Sequence, residues 1–342
     1  MADSAQPVQA APRPNPVGAH VGHPETLRFG DRLAEAVDRR RSQIVLGLDP
    51  DPGRLWPQAV ELAAGADGGA GPTRSPAGGA AARAARAVAA HCRLVLDAAA
   101  EQCVAVKPQV ACFERLGAPG WAALAEVVDD ARGRGLVVIA DAKRGDIDIS
   151  ARAYAQAFFT GTETPFGEVP GLGADALTVN PLLGRDSLVP FIDAARERGS
   201  GVLALVRTSN PGAADIQERE LAGGGTVSEA LAALVNELGA AGVGAAGLSD
   251  VGAVTGATAP ERLEVLRELM PRAVLLLPGI GAQGASGRDL APAFAPGRAA
   301  GLVSASRAIV YAHRADGAAA DPAVAARAEA ARLRELIWDL YA

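Results

Sequence analysis

Eight short apolar runs recur along the chain, each followed by a stretch whose apolar residues fall at helical spacing. The runs lie at residues 43–49, 103–107, 136–141, 174–180, 201–207, 243–248, 273–278 and 300–304. A continuous run of four to eight apolar residues bounded by turn signals predicts a strand buried on both faces. Helices are predicted over 81–100, 120–134, 149–159, 193–198, 227–241, 259–270 and 287–294, with closing helices after the last run. The sixth run, Val243 to Leu248, is Gly/Ala-rich and the weakest of the eight. A lead-in helix over 26–41 precedes them, with Leu27, Leu33, Ala36 and Val37 on one face. Strictly alternating strands and helices imply right-handed parallel crossovers. Eight such units predict a closed (β/α)8 TIM barrel, an α/β fold; an open doubly wound sheet is the alternative. No Gly-x-Gly-x-x-Gly follows the first run, which counts against a dinucleotide fold.

Composition divides the chain without adding a second domain. Residues 1–24 are Ala/Pro/Gly-rich and aperiodic, which predicts a disordered N-terminal tail. Residues 25–342 then form a single barrel domain, interrupted by a Gly/Ala/Pro low-complexity insertion at about 63–80 that reads as a flexible surface loop. The net charge of −6 leaves no basic field for nucleic acid or an anionic membrane surface, so an anionic ligand must be held by a local pocket. No apolar run is long enough to span a bilayer and no secretory signal pattern is present, so the expectation is a cytoplasmic protein. Cys92, Cys103 and Cys112 show no CxxC spacing, and His20, His23, His91 and His313 form no ligand cluster; no metal site is expected.

Chemistry is expected at the C-terminal ends of the runs, where barrels carry it. Asp49, Lys107, Asp141, Lys143, Asn180, Ser209, Gln283 and Arg307 all collect there. The chain holds 33 Lys+Arg but only two lysines, Lys107 and Lys143, and both close predicted strands. Lysine is a compact ammonium whose pKa can be tuned, whereas arginine is permanently charged, so the two lysines point to a proton-transfer role. Asp141 and Lys143, at i and i+2, share one strand face, with Asp146 following in Asp-x-Lys-x-x-Asp. Flanking carboxylates hold a lysine protonated, and such a row suits expulsion of a carboxylate followed by protonation of the carbanion. A salt-bridged strand end that merely holds a loop is the plainer reading.

Two Gly- and Ser-rich stretches close the pattern. Pro278-Gly279-Ile280-Gly281-Ala282-Gln283 follows the seventh run and Ser304-Ala305-Ser306-Arg307 the eighth, the usual place for a phosphate in a barrel. Their amides, Gln283 and Arg307 would hold the anion; an ordinary turn beside a surface arginine is the alternative. Arg207-Thr208-Ser209-Asn210-Pro211-Gly212-Ala213 opens a long loop to Gly225, either a lid with Ser209 at its hinge end or a disordered connection.

These motifs together resemble the orotidine 5′-phosphate decarboxylase family, nearest to its longer bacterial type 2 branch. The likeness runs from about Thr26 to Tyr311. It rests on Leu-Gly-Leu-Asp49-Pro, Val-Lys107-Pro-Gln109, Asp141-Ala-Lys143-Arg-Gly-Asp146-Ile147, Ser209-Asn-Pro-Gly-Ala and Pro278-Gly-Ile-Gly-Ala-Gln283. The resemblance implies a homodimeric, cofactor-free barrel converting orotidine 5′-phosphate to UMP. Under it, Lys143 protonates C6, Asp141 sits against the substrate carboxylate, and Asp146 reaches the partner's site. Lys107 and Asp49 contact the ribose and Ser209 the base; Gln283 and Arg307 grip the phosphate. Ile147, Ser150, Pro278, Gly279 and Ser306 complete the implied substrate contacts. Asp148-Ile149-Ser150 departs from the family pattern, where Gly and then Ser/Thr are expected, and the insertion at 63–80 is unusually long. Metal-dependent sugar-phosphate decarboxylases and aldolases of the same superfamily share Asp-x-Lys-x-x-Asp and are the near alternative; a non-catalytic nucleotide-binding barrel is the distant one.

Overall fold

The computed structural model describes residues 27–65, 76–256, 260–278 and 287–340. In chain order the strands are β1 (Ile44–Leu48), β2 (Ala105–Pro108) and β3 (Val137–Arg144). A short antiparallel hairpin, β4 (Thr162–Thr164) and β5 (Gly167–Val169), comes next. Then come β6 (Ala176–Val179), β7 (Gly201–Arg207), β8 (Val251–Thr255), β9 (Leu275–Pro278) and β10 (Gly301–Ala305). All but the hairpin pair in parallel into a closed barrel of order β1-β10-β9-β8-β7-β6-β3-β2. The predicted TIM barrel is therefore the observed fold.

The helices wrap this barrel in sequence: α1 (Phe29–Arg40), α2 (Pro57–Gly65), α3 (Pro76–Ala99), α4 (Val110–Glu114), α5 (Ala118–Gly133) and α6 (Asp148–Ala155). They continue with α7 (Arg185–Glu197), α8 (Ala213–Ile216), α9 (Val227–Gly239), α10 (Pro260–Leu269), α11 (Arg307–Val310) and α12 (Pro322–Asp339). Strand side chains alternate faces, so the core divides in two. Ile44, Leu46, Val106, Val138, Leu177, Val202 and Val303 point outward and pack with the helices. Val45, Ala105, Ile139, Ala176, Leu203, Leu276 and Leu302 form the second cluster, which α1 joins through Phe29, Leu33, Ala36 and Val37. The lead-in helix thus shares the barrel's inner core.

Three expectations change. The sixth strand is not 243–248 but Val251–Thr255. Gly and Ala offer that earlier segment little side chain to bury, and Gly247 takes φ +76°, which no regular strand permits. The segment turns back on itself, Gly244 N–H donating to Leu248 O at 2.9 Å, and Ala246 N–H is held by Asp31 Oδ1 at 2.7 Å. Within the 63–80 insertion α2 runs to Gly65 and α3 starts at Pro76; the rest of it, like the 1–24 tail, lies outside the described residues. The helix placed at 149–159 splits into α6 and a π-turn over Gln156–Thr160, and the hairpin after it was not foreseen. No helix among the described residues is long and apolar enough to cross a membrane.

Candidate active site

One carboxylate collects four donors from three adjacent strands. Asp141 lies on β3, and its Oδ2 accepts from Lys107 Nζ at 2.6 Å and Gln109 Nε2 at 3.1 Å. Its Oδ1 accepts from Lys143 Nζ at 2.5 Å and Thr178 Oγ1 at 3.0 Å. Two oxygens offer about four lone-pair sites, so the carboxylate is saturated. Burial alone would raise the Asp141 carboxyl, but the Lys107 and Lys143 ammoniums outweigh it and hold it down at about 2. Burial likewise pulls against the Lys107 ammonium, yet Asp141 and Asp49 overcome it and raise its pKa. Both groups therefore carry full charge at neutral pH.

The two lysines are not equivalent. The Lys107 side chain is 9% exposed, whereas that of Lys143 is 43% exposed. Lys107 is a buried counterion; Lys143 alone carries its charge toward solvent at the barrel mouth. Lys143 also holds φ +49°, in the left-handed region that a non-glycine residue enters at a cost. Its neighbour Arg144 pairs with Glu114 and lies over the rings of Tyr154, at 5.2 Å, and Phe158, at 5.7 Å.

Beyond this row the chain turns into α6. Asp146 is half-buried and its Oδ1 accepts from Ile147 N–H at 2.8 Å; among the described residues it bonds neither lysine. Ile147 is half exposed, and Ser150 is exposed in the first turn of α6. At the departure from the family pattern, Asp148 sits at φ +47°, the conformation a glycine would supply freely. Asp tolerates that region better than most side chains, so the turn forms with aspartate at this position.

Across the mouth, Asp49 follows β1 and lines a small cleft with His91, Ser306, Arg307 and Tyr311. Ser306 precedes α11 and the exposed Arg307 opens it. A Cβ on Gly47 would lie 2.6 Å from Ser306 Cβ, so only glycine lets β1 approach this loop so closely. Pro278 ends β9 and pairs with Ser304, but Gly279 and Gln283 lie outside the described residues. The 208–226 connection is an ordered loop. Arg207 bridges to Glu218 at 2.8 Å, and Thr208 N–H donates to Gln217 Oε1 at 2.8 Å. Gln217 Nε2 donates back to Thr208 Oγ1 at 3.0 Å, and a Thr226–Glu229 capping box starts α9. Ser209 is half-buried at its start. Among the described residues no group of three or more His, Cys, Asp or Glu side chains is placed to hold a metal ion.

Two contributors escaped the sequence reading as site residues. Gln109 is two residues past Lys107 and so shares its face, and Thr178 is a lone hydroxyl within the apolar run Ala176-Leu177-Thr178-Val179. A polar side chain on the inner face of a buried strand was the available signal.

Residues 43–327 match the family described as Orotidine 5′-phosphate decarboxylase / HUMPS family. A relative from Deinococcus radiodurans, named orotidine 5′-phosphate decarboxylase, is 49% identical over 237 residues, covering 69% of this chain and 82% of its own. One of the same name from Roseiflexus castenholzii is 36% identical over 312 residues, covering 91% of this chain and 97% of its own. The solved structure of Leishmania donovani OMP decarboxylase superposes with a TM-score of 0.65 at 30% identity, covering 92% of this chain and 98% of that one.

Proposed function

The chain belongs to the orotidine 5′-phosphate decarboxylase / HUMPS family, and from that premise we propose how its charge row converts orotidine 5′-phosphate to UMP in pyrimidine biosynthesis. The observation that carries the mechanism is the Asp141 carboxylate, kept ionised and bonded at 2.5 Å to a lysine that faces the mouth.

The substrate's C6 carboxylate lies against Asp141, and two like charges in a confined site raise the energy of that ground state. Loss of CO2 removes the repulsion and leaves the electron pair of the broken C–C bond on C6. The Lys143 ammonium then gives one proton to C6, forming UMP, and regains it from solvent. Lys107 stays protonated throughout, its buried charge fixing Asp141 in place. Ser306, Arg307, Pro278, Gly279 and Gln283 bind the phosphate end, with Asp49 and Lys107 at the ribose. The phosphate is remote from the breaking bond, so its binding energy is available to close the 208–226 loop, with Ser209 meeting the base.

We read the enzyme as a cytoplasmic homodimer formed at the barrel mouth. Ile147 (48% exposed), Ile149 (79%), Leu182 (70%) and Leu183 (54%) follow the neighbouring strands β3 and β6 and leave an apolar face bare. A second copy seated there would bring Asp146, Ile147 and Ser150 to the partner's site. The three cysteines are unpaired, in keeping with a reducing compartment.

The test is loss of orotidine 5′-phosphate absorbance with and without a chelator. Turnover is expected to be indifferent to the chelator and abolished in Lys143→Ala. Chelator-sensitive turnover would favour the metal-dependent sugar-phosphate branch and overturn this reading.

A further inference from the structure

We propose that Thr178 is a positioning residue for the decarboxylation: its hydroxyl ties the Lys143 main chain to the Asp141 carboxylate and so sets where the ammonium stands. The inference rests on the reading of Lys143 as the proton donor.

The β3–β6 ladder pairs Ile139 with Ala176 and Ala140 with Leu177, but its register then shifts and resumes only at Arg144 with Val179. Lys143 lies within that break. Its N–H donates instead to Thr178 Oγ1 at 3.0 Å. The same hydroxyl donates to Asp141 Oδ1 at 3.0 Å. A hydroxyl has one proton and two lone pairs, so both contacts coexist only with the proton committed to Asp141. Thr178 is 1% exposed, leaving no solvent to take over either role.

The consequence is conformational. A lysine at φ +49° is strained against the ordinary backbone regions. The hydroxyl supplies the acceptor that the broken ladder does not, and it supplies it only while Lys143 holds this conformation. If Lys143 relaxed to negative φ, its side chain would leave the line toward Asp141 Oδ1 and the space above it. The Thr178 hydroxyl is spent on the Lys143 main chain and the Asp141 carboxylate, so it acts through those two groups.

The experiment compares Thr178→Val, which keeps the shape and removes both bonds, with Thr178→Ser, which keeps both bonds. Lys143→Ala runs beside them, and UMP binding counts intact sites. For Val, kcat per UMP-binding site should fall about ten- to a hundredfold with KM within about twofold. The acid limb of its kcat–pH profile should move upward, because Asp141 has lost a donor to its charged form. Ser should stay within about threefold of the parent. Should Val bind no UMP, Thr178→Cys, with nearly the same volume and much weaker hydrogen bonds, should show the same kcat loss and limb shift. The proposal is overturned if Val (or Cys) keeps full kcat per site, if the acid limb stays put, or if Ser is as impaired as Val. An active Lys143→Ala would instead sink the lysine mechanism, whatever Thr178 does.

Discussion

Lys143 Nζ lies 2.5 Å from Asp141 Oδ1, although the lysine side chain is 43% exposed and the aspartate's only 8%. One end of the pair is therefore fixed and dry while the other opens on the mouth. A proton donor needs that asymmetry: an anchored counterion, and a free side facing the acceptor. Lys143→Ala should lower kcat about a thousandfold or more, toward the upper range for loss of a general acid. UMP affinity should change by less than about tenfold, because the proposed phosphate and ribose contacts involve other side chains. Single-turnover absorbance together with equilibrium UMP binding separates the two effects.

Asp141 also predicts an acid transition in stability. Its folded pKa of about 2 lies below the 3.8 of an unperturbed aspartate, so the unfolded chain binds the proton more readily. A depressed carboxyl contributes stability above the unfolded value and loses it as pH falls through the folded one. The contribution is about 2 kcal/mol at neutral pH, fully present above about pH 4 and lost progressively between pH 4 and 2. In Asp141→Asn, urea midpoints should lose this component of the slope. The variant should also be less stable at pH 7 by about 3–5 kcal/mol, because the buried Lys107 ammonium is left without its partner. Equal slopes in parent and variant from pH 5 to 2 would contradict the assignment.

The charged centre of the candidate site was legible because charge is conspicuous in a buried strand. Asp141, Lys143 and Lys107 stand out against apolar runs, and their common face follows from strand alternation alone. Seven of the eight strands were placed for the same reason. The sixth failed where Gly and Ala made the apolar count of 243–248 look like a strand, though Gly247 requires a turn. Thr178 was passed over because a lone threonine suits any strand, and only the register break between β3 and β6 gives it a task. Strain at Lys143 was equally invisible, since backbone angle is no property of a residue name.

Gly47 makes a sharper demand than its place in a strand suggests. Alanine there would bring a methyl within 2.6 Å of Ser306 Cβ, closer than carbon atoms approach. Either β1 or the Ser306–Arg307 loop must move. Gly47→Ala should raise the KM for orotidine 5′-phosphate at least about tenfold while inorganic phosphate inhibits less strongly. An unchanged KM would place the phosphate away from this loop.

One buried cation has no anion among the described side chains. Arg267 on α10 is 5% exposed and spends its guanidinium on main-chain carbonyls: Met270 O at 2.9 Å, Ala273 O at 2.8 Å, Ala293 O at 2.5 Å, Ala300 O at 3.1 Å and Pro292 O at 3.3 Å. Burial pulls its pKa down to about 10, which still leaves it charged at neutral pH. These carbonyls lie in the segments leading into β9 and β10, the two strands whose ends carry the predicted phosphate loops. Methionine can fill the volume but donates nothing, and lysine has three donors on one nitrogen where the fork has five spread over three. Arg267→Met should therefore cost about 3–5 kcal/mol in urea denaturation, since several buried carbonyls lose their donors together. Arg267→Lys should recover only part of that loss. Because the guanidinium lies among main-chain carbonyls and away from the Asp141 row, kcat per UMP-binding site should stay within about threefold in both variants. A stable Arg267→Met protein, with a midpoint near the parent's, would mean that the carbonyls find other donors and that the guanidinium is not what clasps β9 to β10.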